Sequence, residues 1–329
     1  MTKADKARQY RKKYGQEMPT LKLARIMYNE NELLFKDVED ARFQLRYIEG
    51  KSGKPMQKHI KPEDIIPERP RNPYNLPESF AKEIPPYVLQ GHKRAFIIND
   101  VHLPYHDVEA TTVALDWAKK EKPDAIVLNG DIIDIHQLSY FVRDPRKKDF
   151  AYELDQLRLF IGVLLKTFKS AKIYYKFGNH EIRYNNFLFQ KAGELVGVSE
   201  FDLINIIKGR NPEIEVISDK TIIKLNSLSV IHGHELGRGV FNPVNAARGL
   251  HLTAKVSAVK GDCHKTSEHT EVDLNGNIKT TWSIGALCGL HPEYLPYNSW
   301  NHGAAICDLD SNGEDFEFRN KRIHKGKLL

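Results

Sequence analysis

Residues 94–102 read Arg94-Ala-Phe-Ile-Ile-Asn-Asp-Val-His102, and residues 125–134 read Ala125-Ile-Val-Leu-Asn-Gly-Asp-Ile-Ile-Asp134. In both, an unbroken apolar run ends abruptly at acidic groups. Runs of four or five apolar residues with no polar alternation fit strands buried on both faces. A third run, Ile173-Tyr-Tyr175, leads into Gly178-Asn179. The intervening segments, Val108 to Lys120 and Tyr152 to Phe168, have helical apolar spacing. Such alternation predicts a parallel or mixed sheet carrying its chemistry at the carboxyl ends of strands.

Past residue 213 the pattern becomes strand-rich, with runs at 215–217, 222–225, 229–231 and 255–259. Two hairpins follow. Asn275-Gly276 separates Thr270–Leu274 from Ile278–Trp282, and Asn312-Gly313 separates Ala304–Leu309 from Asp315–Phe318.

Several apolar runs lead to hard ligands: Asp100-Val-His102, Gly130-Asp131-Ile-Ile-Asp134, Gly178-Asn179-His180-Glu181, His232-Gly233-His234 and Gly261-Asp262-Cys263-His264. Singly, each is more often a turn than a ligand. Together they bring carboxylate, imidazole and amide oxygen to several strand ends, as two adjacent divalent cations require. Water held between two such ions becomes a nucleophile near neutral pH, and the ions neutralise charge on a phosphoryl group. The chemistry expected is hydrolysis of phosphate esters.

In this order, the segments resemble the signature of the calcineurin-like metallophosphoesterases over roughly residues 94–310. The resemblance implies an α/β fold, a four-layer α/β/β/α sandwich of two mixed sheets, with a dinuclear site between the sheet edges. It also implies that Asp100, His102 and His264 hold one metal, that Asp131 bridges both, and that Asn179, His232 and residue 262 hold the other. His180 matches the histidine that faces substrate, protonating the leaving oxygen or steadying the phosphoryl group. Glu181 is expected to orient that imidazole, and Asp134 to fix loop geometry. One departure stands out. The family usually reads Gly-His-x-His where this chain reads Gly261-Asp262-Cys263-His264. Asp262 as an oxygen ligand makes that site harder and favours Mn²⁺ or Mg²⁺. The alternative is that Asp262 misses the metal and that His234 or a water takes its place. Two divalent ions are thus expected, with Mn²⁺ favoured and Mg²⁺, Fe, Zn²⁺ or Ni²⁺ as alternatives.

Around this set, Arg183 is a candidate phosphate clamp or a plain helix-surface residue. His234 is placed near the substrate, and His106 either faces the cleft or sits on a surface loop. Tyr294, Tyr297 and Trp300 pack a long loop, with base stacking the other reading.

The N-terminal region differs in kind. Residues 1–60 hold 14 of the 49 Lys/Arg and 8 of the 43 Asp/Glu, so the whole net charge of +6 lies there. Helical spacing at Leu21 to Met27 and Val38 to Ile48 marks residues 1–50 as a basic helical module. Its charge is either a solvated face or a contact for DNA or RNA. The prolines between residues 51 and 91 exclude continuous helix and central strand, which makes this stretch a linker before a phosphoesterase domain at 92–329.

No apolar run approaches the roughly 18 residues of a membrane span, and Met1 to Arg8 lacks the apolar core of a secretory signal. Three cysteines without C-x-x-C spacing fit a reduced, cytoplasmic setting. Oligomeric state is not legible. The reading is a metal-dependent phosphodiesterase or nuclease acting on nucleic acid. Phosphoprotein or nucleotide phosphatase is the alternative within the same chemistry, and a nucleic-acid-binding protein with an inactive domain the alternative outside it.

Overall fold

A computed structural model describes residues 2–15, 17–52, 72–139, 146, 149–209, 211–236 and 244–329. The portion of the proline-rich stretch at 53–71 lies outside the described residues. The chain divides into two compact units, Met1–Lys82 and Glu83–Leu329.

The first unit holds three helices, α1 (Lys3–Tyr14), α2 (Thr20–Asn29) and α3 (Val38–Ile48). Thr2 and Asp5 form a reciprocal capping box on α1, and Asp37 caps α3 by accepting from the Asp40 N–H at 2.8 Å. Ala7, Tyr10, Leu23, Ala24, Met27, Phe35, Ala41, Leu45 and Ile48 form their own buried core. Helix α1 has no legible apolar stripe because one of its buried residues is Arg11. That guanidinium pairs with Glu49 and donates to the Met18 carbonyl at 2.8 Å.

The second unit is built on two mixed sheets. The larger uses β2 (Arg94–Ile98), β3 (Ala125–Asn129), β4 (Lys172–Lys176), β5 (Glu215–Ile217), β11 (His302–Leu309), β12 (Phe316–His324) and β13 (Lys327–Leu328), in the order β13-β12-β11-β2-β3-β4-β5. Strands β2 to β5 run parallel, whereas β11 joins β2 antiparallel. The smaller uses β1 (Tyr87–Val88), β6 (Ile223–Leu225), β7 (Leu228–Val230), β8 (Ala258–Lys260), β9 (Ser267–Val272) and β10 (Ile278–Ser283), in the order β1-β6-β7-β8-β10-β9. Strand β1 comes from the end of the proline-rich stretch and pairs only at the sheet edge, where proline-bearing chain is tolerated.

Alternation along each strand assigns the layers. From β2, Ala95 and Ile97 join Val127, Tyr174, Leu228, Val230, Val259 and Trp282 in a core shared by the two sheets. Phe96 and Ile98 point the other way, onto α4 (Val108–Glu121), α5 (Phe150–Thr167), α6 (Asn179–Lys191) and α7 (Leu203–Lys208). Helix α8 (Ala246–Ala254) packs Leu250 against Ile231 and Ala258 of the smaller sheet. The result is the expected α/β/β/α sandwich. One segment differs from expectation: the strand read at 255–259 begins only at Ala258, because Lys255 in left-handed backbone closes α8. No helix among the described residues is long and apolar enough to cross a membrane.

Candidate active site

The carboxyl ends of β2, β3 and β4 lie side by side in one sheet, and those of the parallel β7 and β8 do so in the other. Topology alone therefore gathers the five motifs. His264 Nε2 stands 3.2 Å from Asp100 Oδ1 and 3.3 Å from His102 Nε2. Asp131 lies next to these, with His102 Nε2 3.9 Å from its Oδ2. On its other side, His232 Nε2 is 3.3 Å from the same oxygen and 3.9 Å from Asp262 Oδ1. The Asn179 side-chain amide, 3.2 Å from His232 Nε2, also faces Asp262 and Asp131. All seven sequence-derived ligand candidates thus meet in two groups with Asp131 between them.

Several features show that this arrangement suits cations. The Asn179 amide end stands 3.0 Å from Asp262 Oδ1 and 3.3 Å from Asp131 Oδ2, which places it between the two carboxylates. Asp100 Oδ1 is buried and, although His264 Nε2 lies 3.2 Å away, accepts no well-directed hydrogen bond among the described residues. The backbone also leaves room where side chains would not fit. A Cβ on Gly178 would come within 2.2 Å of Asp131 Oδ1, and one on Gly130 within 2.4 Å of His232 Nδ1. Asp100, His102, Asp131, Asp262 and His264 all have φ between 50° and 58°. Left-handed backbone at so many non-glycine residues is costly and is typically held in place at functional sites. Burial opposes the charge on Asp100 and Asp131, yet neighbouring imidazoles hold both carboxyls below the usual range.

The supporting residues differ from the sequence reading at one point. Glu181 does not orient His180. It accepts from the backbone N–H groups of Asp131 (3.0 Å), Ile132 (3.0 Å) and Gly178 (2.8 Å) and from the Tyr175 hydroxyl (2.8 Å). At N3 of α6 it can reach back to the turn that precedes the helix, which tethers the ends of β3 and β4 together. The imidazole is held instead by Asp134, whose backbone oxygen lies 2.9 Å and Oδ1 3.0 Å from His180 Nδ1. Asp134 Oδ1 also lies 3.1 Å from His102 Nδ1, so one carboxylate sets two rings. Burial works against its charge, but these two histidines hold its carboxyl far below the ordinary range.

Arg183, one turn after His180, donates to the Asp134 carbonyl and approaches His180 Nε2, both at 2.8 Å. His234 tilts against His232 with ring centroids 5.4 Å apart. His106 forms an isolated bridge with Cys288, and Cys288 in turn lies among the His102 and His264 ligand atoms. Burial pushes the Cys288 thiol up. Trp300 packs edge-on against His264 with centroids 4.0 Å apart, whereas Tyr294 and Tyr297 are exposed. Asn129, absent from the sequence reading, accepts from His232 Nδ1 on its backbone oxygen at 2.7 Å. No local signal marks it, since a strand-end asparagine is ordinary.

Below the 134–136 loop, Glu153 of α5 is buried and accepts from the His136 N–H at 3.2 Å. Burial and the charge of Asp134 push its carboxyl up to about 8 from an ordinary 4.5. Between these values the folded chain binds a proton that the unfolded chain has released, so stability falls as pH rises through that window. Glu153→Gln is expected to flatten this decline. Tm measured at pH 5 and at pH 8.5 should differ less in the variant than in the parent chain.

A family model described as calcineurin-like phosphoesterase matches residues 93–316. The chain belongs to the calcineurin-like phosphoesterase family. Its activity class is therefore that of a phosphoesterase, and its His/Asp clusters can hold metal. No curated protein matches the chain. Among solved structures, Vacuolar Protein Sorting 29 from Cryptosporidium parvum aligns at 12% identity, covering 72% of this chain and 95% of that one with a TM-score of 0.41. Vps29 complexed with Zn²⁺ from Entamoeba histolytica gives 12%, 72%, 96% and 0.38 in the same order. A dimetal phosphatase from Danio rerio gives 13%, 70%, 96% and 0.35. Membership in the calcineurin-like phosphoesterases rests on the family model rather than on these alignments.

Proposed function

We infer that the chain is a two-metal phosphodiesterase that cleaves nucleic acid. Asp100, His102 and His264 would hold one divalent cation, Asn179, His232 and Asp262 the other, and Asp131 both. The hard oxygen donor Asp262 favours Mn²⁺ or Mg²⁺ there. When bound, such a pair activates water for attack on phosphorus and neutralises charge on the phosphoryl oxygens.

The chain's own residues then govern the leaving group. With His180 Nδ1 tied to Asp134, Nε2 is the end that could exchange a proton once a phosphoryl oxygen takes over the Arg183 N–H that now lies 2.8 Å from it. Arg183 brings a fixed positive charge to the same point, where a phosphoryl oxygen would accept from it. A proton taken up at Nε2 makes an imidazolium braced by Asp134 and destabilised by Arg183, which favours its transfer to the departing alkoxide.

The observation supporting a nucleic-acid substrate is the confinement of the basic excess to residues 1–60. Arg11 is consumed by its buried pair with Glu49, but Lys12, Lys13, Lys22, Arg25 and Arg46 are exposed on the helical module. Such cations bind polyanions with a characteristic salt dependence. Deleting residues 1–60 should weaken DNA or RNA binding and lower the slope of log K against log salt, by roughly 0.9 for each duplex phosphate that is no longer neutralised. Binding is best measured by fluorescence anisotropy across a salt series, alongside turnover of DNA, RNA, nucleotides and phosphopeptides with Mn²⁺. Unchanged affinity and slope, with turnover of phosphopeptides or nucleotides alone, would replace this reading with a phosphatase.

A further inference from the structure

Away from the active site, α8 and the edge strand β9 bring together His251, His269 and Glu271. His269 and Glu271 are two residues apart on a strand, so both side chains leave the same sheet face. Helix α8 is fastened to that face: the Ala247 N–H donates to Ser267 Oγ at 3.0 Å, and Thr281 Oγ1 donates to the Ala247 carbonyl at 2.8 Å. This seating fixes His251, whose Nε2 lies 3.1 Å from Glu271 Oε2. His269 Nε2 lies 2.8 Å from the other oxygen, Oε1.

We propose that His251, His269 and Glu271 form a separate site for one divalent transition metal ion, with Zn²⁺ the best chemical match. Two imidazole nitrogens and a carboxylate are a known zinc donor set, and bonds of about 2.0–2.1 Å in a tetrahedron put ligand atoms roughly 3.3 Å apart. Each imidazole already stands about that far from a Glu271 oxygen, at 3.1 and 2.8 Å, and all three donors lie within 4.8 Å of one another. Among the described residues, Glu271 makes no ion pair with Lys or Arg, so its charge is directed at the two imidazoles. The Glu271 side chain is 52% exposed, which leaves a path for the ion and positions for water. Metal here clamps the outer helix to an edge strand, and binding energy gained only in the folded chain appears as stability.

The test is zinc stoichiometry by equilibrium dialysis on the full chain, with thermal unfolding measured in parallel. His269→Ala and the exposed-site variant Glu271→Gln should each bind one Zn²⁺ fewer than the parent chain and lose part of the zinc-induced rise in Tm. Phosphoester turnover should be unchanged. Because the comparison is a difference of one equivalent, it stands whatever the active site binds. Undiminished stoichiometry in either variant would overturn the proposal and leave an ordinary histidine–glutamate cluster.

Discussion

Asp131→Asn is expected to reduce phosphoester turnover by roughly a thousandfold, about 4 kcal/mol of transition-state stabilisation, on the scale of metal-ion catalysis. Asp131 faces both ligand groups, 3.9 Å from His102 Nε2 and 3.3 Å from His232 Nε2. Its other oxygen accepts from the His180 N–H at 2.8 Å, so it also anchors the first turn of α6. Asparagine preserves shape and that acceptor but removes the negative charge that two adjacent cations would share. Metal content measured beside turnover separates two causes: fewer ions bound shows lost affinity, and full occupancy with low turnover shows lost activation. Turnover within tenfold of the parent chain would remove Asp131 from the centre of the site.

Lys176→Met is expected to destabilise the fold by about 3–5 kcal/mol, as removing one partner from a buried pair does. Lys176 is fully buried on β4, and its ammonium lies 3.0 Å from Glu235 Oε1. It also donates to the carbonyls of Asp219 (2.7 Å) and Thr221 (2.9 Å). Glu235 in turn accepts from the N–H groups of His232 and Gly233 at 3.0 and 2.6 Å. The lysine of one sheet thus supports the ligand loop of the other. Methionine fills similar volume but leaves the largely buried Glu235 carboxylate without its counter-charge and the Asp219 and Thr221 carbonyls without that donor. Urea unfolding should show the destabilisation, and adding Glu235→Gln should restore part of it, because the two effects are coupled. A change below about 1 kcal/mol would mean that water replaces the ammonium.

The strand ends were readable because their chemistry adjoins their apolar runs in sequence: Ile98 precedes Asn99-Asp100, and Leu128 precedes Asn129-Gly130-Asp131. Order along the chain then sufficed to relate the motifs to one another. What joins them was hidden. Trp300 against His264, Asn129 beneath His232 and Lys176 beside Glu235 are contacts between distant segments, and each residue type is ordinary where it stands. The role of Glu181 was misread for a related reason. Adjacency to His180 suggested a partnership, but neighbours on a helix diverge by about 100°, and Glu181 turns back to the strand ends. Helices α1 and α8 escaped notice because Arg11 and His251 occupy buried positions where an apolar residue would have completed the stripe.

The main-chain conformation at residue 262, φ 58°, acts as a filter on which donors the loop accepts. Aspartate, asparagine and histidine enter the left-handed region far more readily than β-branched residues do. Exchanging an imidazole for a carboxylate there requires no remodelling of the turn. If residue 262 holds a metal, the turn is thus a socket with interchangeable plugs, in which the hardness of that position would change while its geometry stayed put.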